Sequence, residues 1–178
     1  EIEKFVKSMN MDCFRGSSLD VLDRYFKCAQ HFSFDTIVRI TADNPLIDPV
    51  LVDDVIKIFN SNSFDYISNA HIRSFPYGTE TEVFSFNALH KAWKNAKTKY
   101  EREHVTPYFY NNQDKFSLHD VINNQNLSNF RWTVDNTDDL KLVKEILSKI
   151  KQRPILMNDI IELFSKNPDL IKINTNIS

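Results

Sequence analysis

Two stretches of the 178-residue chain end an apolar, β-branched run in an aspartate and then open a helix. They are VRITADNPLIDP, which carries Asp43, and FRWTVDNTDDL, which carries Asp135. In open α/β sheets ligands bind outside the carboxyl ends of the strands, where loops and backbone groups converge. Carboxylates at two such ends can share one hard cation, because Mg²⁺ takes one or two carboxylates and completes its shell with phosphate oxygens and water. Either aspartate alone is better explained as a turn residue. The repeated context favours a metal pair. Arg39 and Arg131 lie in the same two strands, and a guanidinium there is placed to grip phosphate or carboxylate with two parallel hydrogen bonds.

The elements that must position these residues follow from periodicity. Leu19, Leu22, Tyr25, Phe26 and Ala29 share one helical face, with Ser17 or Ser18 as the N-cap. Asp20 and Arg24, one turn apart, are expected to pair. TIVRIT (36–41) reads as a buried strand broken at Pro45, and Asp48-Pro49 as the cap and first residue of a second helix. DYISN (65–69), TEVFSF (81–86), SLHDVI (117–122) and RWTVD (131–135) read as strands. Residues 87–97, 101–110, 138–151 and 157–166 read as helices, the third capped by Thr137. Strands alternating with helices predict an α/β fold.

Composition narrows the classes. The chain is 42% hydrophobic and 12% aromatic, with 14 Phe and only 2 Gly, where about a dozen glycines are usual at this length. That is a folded globular composition. A formal net charge of −2 gives no polyanion-binding surface, so no nucleic-acid partner is expected. No apolar run reaches membrane-spanning length and the N-terminus lacks a signal-peptide core, which predicts a cytoplasmic protein. Cys13 and Cys28 have no metal-ligand spacing and read as reduced thiols. No Ser-His-Asp or Cys-His set suggests a covalent intermediate.

FRGSSLDVLDRY, VRITADNPLIDP, FPYGTETEVFSFNAL, EREHVTPYFY and RWTVDNTDDL occur in this order. Together they resemble the cytidylyltransferase-like proteins of the spore-coat polysaccharide biosynthesis type, relatives of the acylneuraminate and KDO cytidylyltransferases. The resemblance runs from about Phe14 to about Leu147. It implies a nucleotide-diphospho-sugar transferase (GT-A-like) fold, a three-layer αβα arrangement that transfers CMP from CTP to a sugar acid of the nonulosonic type and releases pyrophosphate. Asp43 and Asp135 then hold Mg²⁺, although Ala42 and Asn44 stand where the family usually has Gly and Cys or Glu. Gly16, Ser17 and Arg39 are the expected nucleotide contacts, with an ordinary capped turn as the alternative for Gly16 and Ser17. Gly78, Glu82, His104 and Arg131 are the expected sugar contacts, with a structural His as the alternative for His104. Arg102 is the counter-charge beside His104, and Glu80 reads as a solvated strand face.

One domain over 1–178 is expected, with a core at about 14–150 and a helical extension at 151–178. The family's opening strand and phosphate loop are not among these residues, so the sheet is expected to lack its first strands, either because the natural protein is longer or because the chain is a shortened relative that no longer catalyses. A homodimer through the aromatic segment 100–110 is a further possibility, with burial in the core the alternative. A non-catalytic binding or oligomerisation module and a GT-A-type glycosyltransferase are the competing functions. The second is disfavoured because no Asp-x-Asp precedes a helix.

Overall fold

The computed structural model describes residues 1–175, and they fall into two units, one of residues 1–37 with 85–116 and one of residues 38–84 with the chain from 117 onward. Among these residues no helix is long and apolar enough to cross a membrane.

In the first unit α1 (Ile2–Ser8) buries no residue, whereas α2 (Val21–Phe32) buries Leu22, Phe26 and Ala29. Asp20, not Ser17 or Ser18, caps α2 by accepting from the Asp23 amide at 3.0 Å. Ser17 instead closes the preceding turn, its Oγ accepting from the amides of Leu19 (3.2 Å) and Asp20 (2.9 Å). Leu19 thereby falls outside the helix and is 81% exposed. The expected Asp20–Arg24 pair does not form. Arg102 takes Asp20 at 2.5 Å, and Arg24 donates to the Ser17 carbonyl at 2.9 Å. A third helix of this unit, α4 (Phe86–Asn95), starts at the Ser85 cap and buries Ala88, Leu89 and Ala92; Trp93 stacks on Phe26 at 4.2 Å between ring centres.

The helix expected over 101–110 is two pieces, α5 (Lys99–His104) and α6 (Pro107–Tyr110). Pro107 has no N–H to continue the ladder, and Val105 between the pieces sits at φ 72°, a conformation a β-branched residue rarely adopts. A 3-10 turn at Gln113–Lys115 follows.

A four-stranded sheet has the order β1-β3-β2-β4 for β1 (Thr36–Arg39), β2 (Tyr66–Ser68), β3 (Glu82–Ser85) and β4 (Leu118–Asp120). β2 pairs antiparallel with β3, Tyr66 opposite Phe84, and parallel with β4, Tyr66 opposite Leu118. β2 and most of β3 are buried on both faces, as interior strands of a covered sheet are. The α/β expectation is therefore met. RWTVD is not a strand. Only Arg131 bridges, to Tyr77, and the stretch is otherwise irregular.

In the second unit α3 (Pro49–Asn60) lays Val55 and Phe59 on Ile67 and Val83. A larger cluster joins Trp132 to Leu142 and Ile146 of α7 (Thr137–Lys149) and to Ile160 and Phe164 of α8 (Met157–Lys166). Leu170, in the 3-10 turn Pro168–Ile173, completes it. The residues expected as an extension thus share one core with Trp132. The cap of α7 is Asn136 rather than Thr137, in a capping box with Asp139.

Asp48 couples two of these helices. Its Oδ1 accepts from the amides of Val50 (2.8 Å) and Leu51 (3.2 Å) at the start of α3, and its Oδ2 from the Met157 amide (2.8 Å) at the start of α8. Asp48→Ala removes a cap worth about 1 kcal/mol and strands the part-buried Met157 amide, a loss of about 1–3 kcal/mol more. Asp48→Asn keeps only the cap and is expected to lose the Met157 share alone, less than Asp48→Ala loses. Urea unfolding midpoints of the two variants check this ordering.

Candidate functional site

β1 ends at Arg39, and the chain then turns through 42–45, the Asn44 amide bonding the Thr41 carbonyl at 3.3 Å. The Asn44 side chain, only 5% exposed, points back into the protein. Its amide nitrogen donates to Thr41 Oγ1 (3.2 Å) and to Glu80 Oε2 (3.0 Å). The turn therefore presents Asp43 from a fixed frame. The Asp43 carbonyl accepts from the Val134 amide at 2.8 Å and from the Thr133 hydroxyl at 3.2 Å. That bond brings the stretch leading to Asp135 alongside Asp43, although the stretch is not a strand.

Asp43 Oδ1 is buried and has no hydrogen-bond partner. A carboxylate oxygen out of water with no donor costs about 1–3 kcal/mol or more, and a hard cation at that oxygen removes the cost. The site thus passes a test of fit for Mg²⁺, which needs only one or two protein carboxylates when a nucleotide supplies phosphate oxygens. No group of three His, Cys, Asp or Glu side chains among the described residues is arranged to hold a metal by itself.

Asp135 is reached through Arg131. The guanidinium pairs with Asp135 Oδ2 and, at 3.2 and 3.1 Å, with both oxygens of Asp139. Asp139 is fully buried and accepts further bonds from the amides of Asp135 (3.0 Å) and Asn136 (3.3 Å) and from Asn174 (2.8 Å). Arg131, expected to meet substrate, is thus held between two aspartates. The Asp135 side chain stays 57% exposed. A cavity of about 570 Å³ opens beside it, lined in part by Tyr77, Phe130, Arg131 and Asn174.

Arg39 and Glu82 are also brought together. The Arg39 guanidinium pairs with Glu82 Oε2, and the Tyr66 hydroxyl donates to Oε1 at 2.7 Å. Tyr66 and Glu82 are diagonal neighbours across β2 and β3, a spacing within reach of long side chains. Gly78 lies at φ 105°, and a Cβ there would meet Trp132 Cδ1 at 2.6 Å and the Thr133 amide at 2.8 Å. Both the conformation and the space require glycine.

The other three candidates lie in the first unit. Gly16 packs on Arg24, Ser17 serves the turn before α2, and His104 is exposed on the last turn of α5 with its ring 4.5 Å from Tyr100. Arg102 is committed to Asp20 and the Trp93 carbonyl. Glu80 is the clearest correction. It is not a solvated strand residue, since it accepts from Asn44, Gly78 and Arg73. Its position two residues after a turn glycine was the available signal, and for Asp139 the signal was the N-x-x-D capping pattern.

A family model for cytidylyltransferases matches residues 1–166. The chain is 40% identical over 178 residues to an uncharacterized protein of Methanocaldococcus jannaschii, covering 99% of this chain and 72% of that one. It is 31% identical over 160 residues to the spore coat polysaccharide biosynthesis protein SpsF of Bacillus subtilis, covering 88% of this chain and 65% of SpsF. The structure of a cytidylyltransferase from Leptospira borgpetersenii matches with a TM-score of 0.94 at 32% identity, covering 99% of this chain and 75% of that one. The chain thus spans 65% to 75% of the length of these relatives.

The Arg131–Asp139 cluster has a pH signature. Burial pushes the Asp139 carboxyl up, but hydrogen bonds from Arg131, Asn174 and the Asp135 amide outweigh it and hold the group at about 2, below its ordinary 3.8. The same bond to Asp139 raises Arg131. A carboxyl depressed in the folded state stabilises it above the unfolded value, and that stabilisation is lost as pH falls through the folded one. The pair contributes about 2 kcal/mol at neutral pH, expected to disappear between about pH 4 and pH 2. Asp139→Asn should lower stability at pH 7 by on the order of 2–4 kcal/mol and flatten the acid limb. Urea denaturation across that range checks both.

Proposed function

This chain belongs to the cytidylyltransferase family, and we propose that the protein transfers CMP from CTP to a hydroxyl of a sugar acid of the nonulosonic type, for surface polysaccharide synthesis. The observation that carries the reading is the buried, unpartnered Oδ1 of Asp43, in a turn bonded to the stretch that presents Asp135. Those two carboxylates would hold Mg²⁺. The ion, when bound with CTP, spreads the charge of the triphosphate and favours ionisation of the attacking hydroxyl.

In the reaction the sugar oxygen bonds to the α-phosphorus of CTP, the bond from that phosphorus to the bridging oxygen breaks, pyrophosphate leaves, and the hydroxyl proton passes to solvent. The chain forms no covalent bond. Its work is positioning and electrostatics. Asn44 and the Val134 amide fix Asp43, while Arg131 restrains Asp135. Arg39 and Glu82 neutralise each other beside the Tyr66 hydroxyl, and Glu82, with both oxygens bonded, holds the Arg39 guanidinium in place. The relative SpsF, named for spore coat polysaccharide biosynthesis, supports a sugar as acceptor. Cytoplasm, the compartment that holds CTP, is where the reaction belongs.

Pyrophosphate release by the full-length protein, with CTP, Mg²⁺ and a panel of sugar acids, tests the proposal. Release is expected with at least one acid and not after chelation. Asp43→Ala and Asp135→Ala should each lower kcat/KM by roughly 100–1,000-fold, the size of losing one electrostatic contact to the transition state. Wild-type rates in both variants, or no release across the panel, would overturn it.

A further inference from the structure

We propose that Glu80 is a positioning residue that locks the Asp43 turn to the stretch bearing Asp135, and so sets the geometry at which the two carboxylates meet a metal. The proposal rests on the assignment of Asp43 and Asp135 as metal ligands. Glu80 spends both carboxylate oxygens within the protein. Oε2 accepts from the Asn44 side chain at 3.0 Å and from the Gly78 amide at 2.8 Å, and Oε1 accepts from Arg73 at 2.7 Å. Asn44 adjoins Asp43 in the chain, so one arm of Glu80 ends at the turn that presents the first ligand.

The second arm ends at Gly78, which lies against Trp132 and Thr133 so closely that no side chain fits between them. Tyr77, the residue before Gly78, exchanges backbone bonds with this same stretch. Its amide donates to Phe130 and its carbonyl accepts from Trp132, each at 2.9 Å. From Trp132 the chain needs two residues to reach Val134, whose amide bonds the Asp43 carbonyl at 2.8 Å. The contacts therefore close a ring: Asp43 and Asn44, then Glu80, then Gly78 and Tyr77, then Trp132 to Val134, and back to Asp43. Glu80 is the one side chain in that ring that touches both the turn and the glycine loop.

Arg73 supplies the counter-charge and is itself fixed, its guanidinium 3.7 Å from the centre of the Tyr77 ring. Groups behind a metal's own ligands orient those ligands, and their loss weakens metal affinity by about 10–100-fold. The ring places Glu80 in that role for Asp43.

Binding of Mn²⁺ to the full-length protein in the presence of CTP, followed by electron paramagnetic resonance without any sugar acceptor, separates positioning from catalysis. Glu80→Ala is expected to weaken Mn²⁺ binding by roughly 10–100-fold. Glu80→Gln keeps one oxygen for Asn44 and Gly78 and should recover most of that loss. Asp43→Asn is the reference. If it binds Mn²⁺ like wild type, the metal assignment fails. If it loses Mn²⁺ while Glu80→Ala binds like wild type, only the positioning proposal fails. Should Glu80→Ala not fold, Asn44→Ala deletes the turn arm alone. Weaker Mn²⁺ binding in that variant supports the proposal, and unchanged binding overturns it.

Discussion

The hydrogen bond from the Val134 amide to the Asp43 carbonyl, 2.8 Å long, joins two segments that lie about half the chain's length apart in sequence. Neither segment at this point belongs to a regular strand, so no ladder of neighbouring bonds would hold them together without it. The arrangement around it follows. Thr133 adds a hydroxyl bond to the same carbonyl, and Gly78 removes the side chain that would push Trp132 and Thr133 away. The Asp43 carboxylate is left over, its carbonyl used and its Oδ1 unpaired.

The carboxylates of the second unit sort themselves by what they have left to give. Asp48 divides its two oxygens between two helix starts. Glu82 is taken by Arg39 and Tyr66, Glu80 by three donors, and Asp139 by five. A buried acceptor gains little from each bond but loses much when one is missing, so these groups behave as fixed parts of the frame. Asp43 departs from that pattern, and a buried carboxylate oxygen left without a donor among carboxylates that are satisfied is where chemistry is to be looked for.

Much of this is legible in the residues and some of it is not. The break after β1 and the start of α3 are written locally, because Pro45 ends one element and Asp48-Pro49 begins another. The order of motifs suffices for the family, since it depends on short local signatures. The role of Glu80 is written locally only in its bond to Gly78, two residues before it. Its partners Asn44 and Arg73 lie 36 and 7 residues away, and no spacing rule connects them. RWTVD misleads for the opposite reason. Its alternation of apolar Trp132 and Val134 with polar neighbours is real, but Trp132 is drawn into the helical core with Phe164 rather than into the sheet. Tertiary packing overrides strand propensity there.

Asn174 binds Asp139 at 2.8 Å and the Arg131 carbonyl at 3.3 Å, four residues beyond Leu170, which is itself part of the helical core. The last stretch of described chain is therefore stitched to the cluster that restrains Asp135. Any change that removes or displaces Asn174 would act on that cluster as directly as a substitution within it.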